Sequence, residues 1–297
     1  GRAGSAEGKP DVDIYMARRD TAGWGAPFRV AGEDGLPHWN PVLFAEGEAV
    51  ELYYKVGHTI PRWRTRVMRS NDGGRSFSAA EELAPGDEGG RGPVRNKPIR
   101  LRSGRLLAPA SIETAEQWDA FVDIREPGAA GYRKSATVPL WRVGEARPEC
   151  EKEPFLVRGK GVIQPTLWQT GDGGVHMLLR STEGQVLRSD SGDGGDSWCP
   201  AYAIGLPNNN SGLDLARLGD GRIALALNPV QGNWAARSPL SLYLSLDDGD
   251  RFQPLIQLEV RPGEFSYPAV LCEGNRLFVS YTWNRLKIAC WEIELEE

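Results

Sequence analysis

The stretch SDSGDGGDSW, residues 189–198, and its copies constrain the fold more than any other feature of the chain. SNDGGRSF at 70–77 keeps the order Ser, any residue, Asp, any residue, Gly, any residue, Ser, aromatic. SLDDGDRF at 245–252 keeps it with Arg251 for the second Ser. REPGAAGY at 125–132 retains only the turn-like centre and the ring, and ARRDTAGW at 17–24 an Asp and the ring. The terminal rings Trp24, Phe77, Tyr132, Trp198 and Phe252 recur at steps of about 53–66 residues, the spacing of a repeat architecture. Glycine supplies positive φ, and Asp and Ser side chains bond the local backbone, so each copy is a tight turn. The ring at its end is expected to be a packing wedge rather than an exposed surface for stacking a glycan.

Strand signals fill each period. PVLFAEGEAVELYYKV, PIRLRSGRLLAPAS, PTLWQTGDGGVHMLLRS, LDLARLGDGRIALALN and PAVLCEGNRLFVSYTW share one grammar: apolar strand, turn with Gly, apolar strand. A third strand follows, such as TRVMRS, QVLRSD or LSLYLSL, and then the repeated turn. Four-stranded antiparallel units repeating at about 50–60 residues predict an all-β propeller, with complete units beginning near Asn40, Lys97, Gln164, Ser211 and Ser266. The ends do not balance. Only VDIYMARR and the short FRV surround Trp24, and the last unit offers three strands. The expectation is a six-bladed propeller in one domain, 1–297, whose first blade lacks its inner strands.

Composition narrows the function classes. A net charge of −5 argues against nucleic acid or an anionic membrane as partner. No run approaches the roughly 18 apolar residues of a membrane span, and GRAGSAEGKPD has no apolar stretch of the signal-peptide kind. Four cysteines without metal-type spacing and three histidines make a zinc site improbable, and no cofactor is implied. The compartment stays open.

The repeated turns resemble the Asp-box, or BNR repeat, of the sialidase superfamily, and the order of blades is similar to that of exo-sialidases from about Asp11 onward. The resemblance implies a ligand site at the mouth of the ring opposite these turns. It implies three arginines on a sugar carboxylate, a Tyr nucleophile assisted by a Glu, and an Asp as acid/base. The Glu position, in VIQPTLW, carries Gln164, which cannot act as a base. The second arginine is Arg180 in HMLLRSTEG, and the third is Arg237 in NPVQGNWAARSPLSLYL. In EFSYPAVL, Phe265 holds the nearest register to the Tyr, and Tyr267, two residues on, lies on the same strand face. For the Asp, KPDVDIY offers Asp11, with Glu7 and Asp13 as rivals. The first arginine belongs to an inner strand missing from this chain.

Other residues at the predicted mouth depart from that pattern. PHWNPVLF sets His38, Trp39 and Asn40 ahead of an inner strand, VRNKPIRL sets Arg95, Asn96 and Lys97 there, and LPNNNSGLDL sets Asn208, Asn209, Asn210 and Ser211. A ring of amides and cations around a funnel suits polyhydroxylated, negatively charged ligands, although the Asn run equally suits capping of strand-entry turns. His38, with Tyr54, Lys55 and Tyr267 potentially nearby, is a candidate general base. Trp283 reads as packing. Two classes of function remain: an enzyme on sugars of the sialic or uronic acid type, whether exo-sialidase, related glycosidase or uronate lyase, and a catalytically silent acidic-glycan-binding propeller.

Overall fold

The computed structural model describes residues 1–296. Six antiparallel sheets follow one another in chain order as the blades of a propeller. Blade two comprises His38–Glu46, Ala49–Val56, Arg64–Ser70 and Glu81–Glu82, and blade three Ile99–Arg100, Leu106–Glu113, Trp118–Arg125 and Arg133–Lys134. Blade four comprises Val162–Gln169, Val175–Ser181, Gln185–Ser191 and Tyr202–Pro207. Blade five comprises Asp214–Arg217, Ile223–Leu227, Leu240–Ser245 and Gln253–Glu259. Blade six has three strands, Phe265–Glu273, Arg276–Trp283 and Lys287–Glu294. The near-continuous apolar and small runs of central strands such as LLAPAS and IALAL leave both faces of a sheet to be buried, and facing sheets cover them.

The first blade is deficient, as the sequence indicates, but less so. Asp13–Met16 pairs with Phe28–Ala31, and a third short strand, Arg2–Ala3, pairs with Asp13 and Ile14. The long step between Tyr132 and Trp198 also has a cause. A segment with its own parallel two-strand ladder, Trp141–Arg142 on Leu156–Val157, runs between blades three and four.

The repeated turns close on themselves. In the second blade Ser70 Oγ accepts the amide of Gly74 at 2.8 Å and donates to Asp72 at 2.6 Å, while Asp72 accepts the Ser76 hydroxyl at 2.6 Å. Ser191, Asp193 and Ser197 repeat these bonds in blade four, and Ser245 and Asp247 repeat most of them in blade five. The hydrogen bonds that Asp193 accepts from Ser197 and Ser191 outweigh its partial desolvation and hold its carboxyl at about 2. Trp198 is the expected wedge, buried among Leu107, Val122, Leu179 and Leu187 between blades three and four. Phe77 and Phe252 pack against the cores of their seams. Trp24 departs from the pattern and is 60% exposed. Its turn has no Ser–Asp–Gly bonding, and Arg19–Asp20 pairs with Gly23–Trp24 as a separate two-stranded hairpin.

The larger apolar cores lie between neighbouring blades. Ile14 meets Leu52 and Tyr54, Trp39 and Trp63 meet Phe121, Trp168 meets Leu215 and Ile223, and Leu242 meets Val270 and Val279. Among the described residues, no such buried cluster joins blade six to blade one. Ion pairs join them instead: Arg19–Glu292 at 2.7 Å and Arg285–Glu7 at 2.8 Å. Exposed pairs contribute little and are screened by salt. Amides of Lys287–Glu294 should therefore exchange with deuterium faster than those of Val175–Ser181, and faster still in molar salt. Equal protection of the two strands would contradict this account of the seam.

Candidate functional site

The mouth is built by a backbone device repeated in four blades. Asn40, Gln164, Asn210 and Tyr267 all have positive φ, 44°, 54°, 56° and 56°. Asn40, Gln164 and Tyr267 are each the third residue of an innermost strand, and Asn210 lies four residues ahead of Asp214–Arg217. In three of them a proline follows, Pro41, Pro165 and Pro268, and the strand register shifts across the pair. Proline has no N–H for the ladder and keeps the preceding residue out of the right-handed helical region. The bulge that results re-aims one side chain per blade. Left-handed backbone at non-glycine residues costs on the order of 1–3 kcal/mol each, and such residues concentrate at functional sites.

The carbonyls released by these bulges are gathered by buried amides. Asn96 Nδ2 donates to the carbonyls of Gln164 at 3.1 Å, Pro165 at 2.9 Å and Leu213 at 3.1 Å. Asn228 does the same for Pro239 and Phe265. Asp214 accepts from Thr166 at 2.7 Å, from the amide of Val270 at 2.9 Å and from Lys97 Nζ at 2.8 Å. Lys97 also donates to the carbonyl of Leu215 at 2.7 Å, so both its bonds tie blade three to blade five. Asn208 and Asn209 are likewise engaged with backbone carbonyls, at Ser211 and Ala236.

Three guanidinium groups meet around Tyr267. Arg237 lies 4.9 Å from the centre of its ring and Arg95 lies 5.5 Å away. Arg180 is buried; desolvation lowers its pKa, Tyr267 and Glu113 oppose that shift, and the charge of Arg237 adds to it. Arg180 Nε donates to Asn210 Oδ1 at 2.7 Å and Nη1 to Gln164 Oε1 at 3.1 Å. Two indoles flank it, Trp118 at 5.8 Å and Trp234 at 5.7 Å. Trp234 is 65% exposed and has a φ of 62°, an unusual setting for so large a ring. Arg95 donates to the carbonyls of Leu213 at 2.9 Å and Pro268 at 2.5 Å, while its buried Nε has no partner. Burial, with Arg180 and Arg237 nearby, pulls its guanidinium down from the ordinary range.

Carboxylates hold Arg237 in place. Its Nη1 donates to Glu264 at 2.9 Å and to Ser266 Oγ at 3.2 Å. Glu264 also accepts from Arg285 at 2.9 Å, Arg285 from its other side reaches Glu7 at 2.8 Å, and Glu7 accepts from Arg2 at 2.7 Å. Burial disfavours the charge of Glu7, and the two arginines overcome it and keep the carboxyl below its usual range. Thus Glu7, set beside Asp11 as a rival in the sequence, is the acidic residue of that segment linked to the arginine cluster.

The structure brings Arg180, Arg237, Gln164, Asn210 and Tyr267 together and separates others. Asp11 is exposed and accepts the amide and hydroxyl of Ser5 at 2.7 and 2.9 Å. Asp13 pairs with Arg29 at 2.6 Å. His38 is buried at 1% exposure, bonds the carbonyl of Leu36 at 2.8 Å and stacks on Tyr54 at 5.5 Å. Burial lowers its pKa. With Nδ1 held by that backbone carbonyl and the ring stacked on Tyr54, His38 is a packed ring of the blade-two core, which does not support the expectation of a general base at the mouth. Lys97, spent on Asp214 and Leu215, is an axis tie rather than a free cation. Asn40 sits on the bulge of blade two, partly exposed. Three residues of the site lacked any sequence signal: Glu113, Trp234 and Glu264.

Comparison with known proteins places this architecture. The family model described as BNR repeat-like domain matches residues 2–279. No curated protein matches. Among solved structures, a protein of unknown function from Dyadobacter fermentans is similar with a TM-score of 0.75 at 17% identity, over 99% of this chain and 87% of that one. The Trypanosoma rangeli sialidase in complex with sialic acid is similar with a TM-score of 0.71 at 13% identity, over 99% of this chain and 51% of that one. NanB sialidase from Streptococcus pneumoniae, as its K499G mutant, gives a TM-score of 0.56 at 15% identity over 93% and 40%. The chain spans about half the length of these sialidases, and at such identity the likeness is one of fold. With a repeat model matched along nearly its whole length and the six-bladed sheet order around a polar mouth, the chain belongs to the BNR repeat-like domain family.

Proposed function

We propose that this chain binds the carboxylate of a terminal acidic sugar at Arg180 and Arg237 and acts there as a glycoside hydrolase of the sialidase-like kind. The observation that carries the reading is the gathering of guanidinium groups from three blades around one tyrosine. Like charges are gathered against their mutual repulsion, and a carboxylate bound among them relieves it. The amides of Gln164, Asn210 and Asn40, each on left-handed backbone, with the indole of Trp234 at the rim, suit a polyhydroxylated ring. The similar Trypanosoma rangeli sialidase is known in complex with sialic acid, which supports an acidic sugar as the ligand class.

Gln164 shapes the chemistry. A phenol is a poor nucleophile at neutral pH without a base to take its proton, and an amide supplies none. Slow turnover of sialosides is therefore expected, with faster turnover on uronic-acid-capped oligosaccharides. Gln164 also favours the second reading, an acidic-glycan-binding propeller without chemistry. Turnover of both reporter classes, beside calorimetric binding of their products, tests the pair. Turnover lost in Tyr267→Phe supports the enzyme, binding without turnover supports the second reading, and neither would overturn the site.

A further inference from the structure

We propose that Glu113, at the end of a blade-three strand, is the proton-donating carboxyl of this site, the role that Asp11, exposed and bonded to Ser5, does not fill. The inference rests on the hydrolytic reading above. Glu113 ends the strand Leu106–Glu113 at the mouth, opposite Trp118, the indole that packs on Arg180. Gln164 links the two sides of the site: its Oε1 accepts from Arg180 at 3.1 Å, and its Nε2 faces Glu113 Oε1 at 3.5 Å. An amide can accept from a guanidinium at one end and donate to a carboxyl at the other. With Oε1 engaged by that amide, Oε2 of Glu113 is left to carry a proton.

The surroundings favour the acid form. Burial raises the pKa of Glu113, while Arg180, Lys55 and the Gln164 amide counter that rise without cancelling it. Lys55 does not hold the carboxyl ionised. Its Nζ donates to Thr65 at 2.5 Å and to the carbonyl of Arg91, and burial draws its pKa down to about 7 despite Asp123 and Glu113. A carboxyl whose pKa is raised by burial is moved toward the acid form that a general acid requires.

The step balances within the site. The glycosidic C–O bond breaks with its electron pair moving to the leaving oxygen, which takes the proton of Glu113. Water adds its oxygen to the anomeric carbon and returns a proton to the Glu113 carboxylate.

The dependence on leaving group tests this. Methyl and 4-nitrophenyl glycosides of sialic and glucuronic acids are to be compared, since a nitrophenolate departs without protonation. Glu113→Gln should slow the methyl glycosides about 100-fold or more and the nitrophenyl glycosides less than about tenfold. In the unmodified protein, the methyl glycosides alone should lose rate as pH rises through the Glu113 pKa, a readout that needs no variant. Equal losses on both leaving groups, or the same alkaline limb for both, would overturn the role of Glu113 and leave the hydrolytic reading intact. An unmodified protein that binds these acids but turns over none of them would overturn that reading itself, and the inference with it.

Discussion

Replacing Arg180 by alanine is expected to weaken binding of a carboxylated sugar by about 10- to 150-fold, the equivalent of roughly 1.5–3 kcal/mol for a hydrogen bond to a charged group. The reasons are geometric. Arg180 is 4% exposed, held between two indoles, and its Nε and Nη1 are already bonded to Asn210 and Gln164. Its remaining donors are fixed in direction before any ligand arrives. Arg180→Lys should not restore affinity, because an ammonium offers a point charge where the site is shaped for a planar fork. Calorimetric titration with sialyllactose and with a glucuronate-capped disaccharide measures this, and circular dichroism checks the fold. Full affinity in Arg180→Lys would show that the site needs charge alone.

The largest effect on stability is expected at Trp198. Its indole is 5% exposed in the core shared by blades three and four, and Trp198→Ala should cost about 3–5 kcal/mol through lost burial and the cavity left behind. Trp198→Phe should cost much less, since the indole Nε1 is buried without a partner and its removal relieves an unsatisfied donor. Trp24→Ala, at the same step of the repeat but exposed, should fall within about 0.5 kcal/mol of the unmodified protein. Urea unfolding of the three variants checks the order. Similar losses for Trp24→Ala and Trp198→Ala would mean that the exposed ring packs after all.

These two residues also mark what was legible in the chain. The repeated turn is a local object: Ser191, Asp193, Gly195 and Ser197 complete one another's hydrogen bonds within a few residues, so sequence order reports the structure. Blade count and strand order follow from it. At position 24 only an Asp and the ring survive, the Ser–Asp–Gly bonds that seat the turn are gone, and the expectation of a wedge fails. At the mouth, Gln164, Asn210 and Tyr267 were legible because each opens an inner strand, and a proline follows two of them. His38 opens its strand in the same way, but it precedes the bulge and its ring turns into the seam with Tyr54. Arg95 was visible only as one of several polar residues, and Glu113 not at all. What gives them meaning is proximity across blades, to Tyr267 and to Gln164, and no local pattern encodes that.

The central claim is that the mouth recognises a carboxylate. The most direct test is calorimetric titration of the unmodified protein with a glucuronate-capped or sialic-acid-capped oligosaccharide and, in parallel, with the methyl amide of the same sugar. The amide keeps every hydroxyl and the ring and removes only the charge. The account predicts binding of the acid, at least about tenfold weaker binding of the amide, and loss of that difference in Arg180→Ala combined with Arg237→Ala. Equal affinity for acid and amide in the unmodified protein would contradict it.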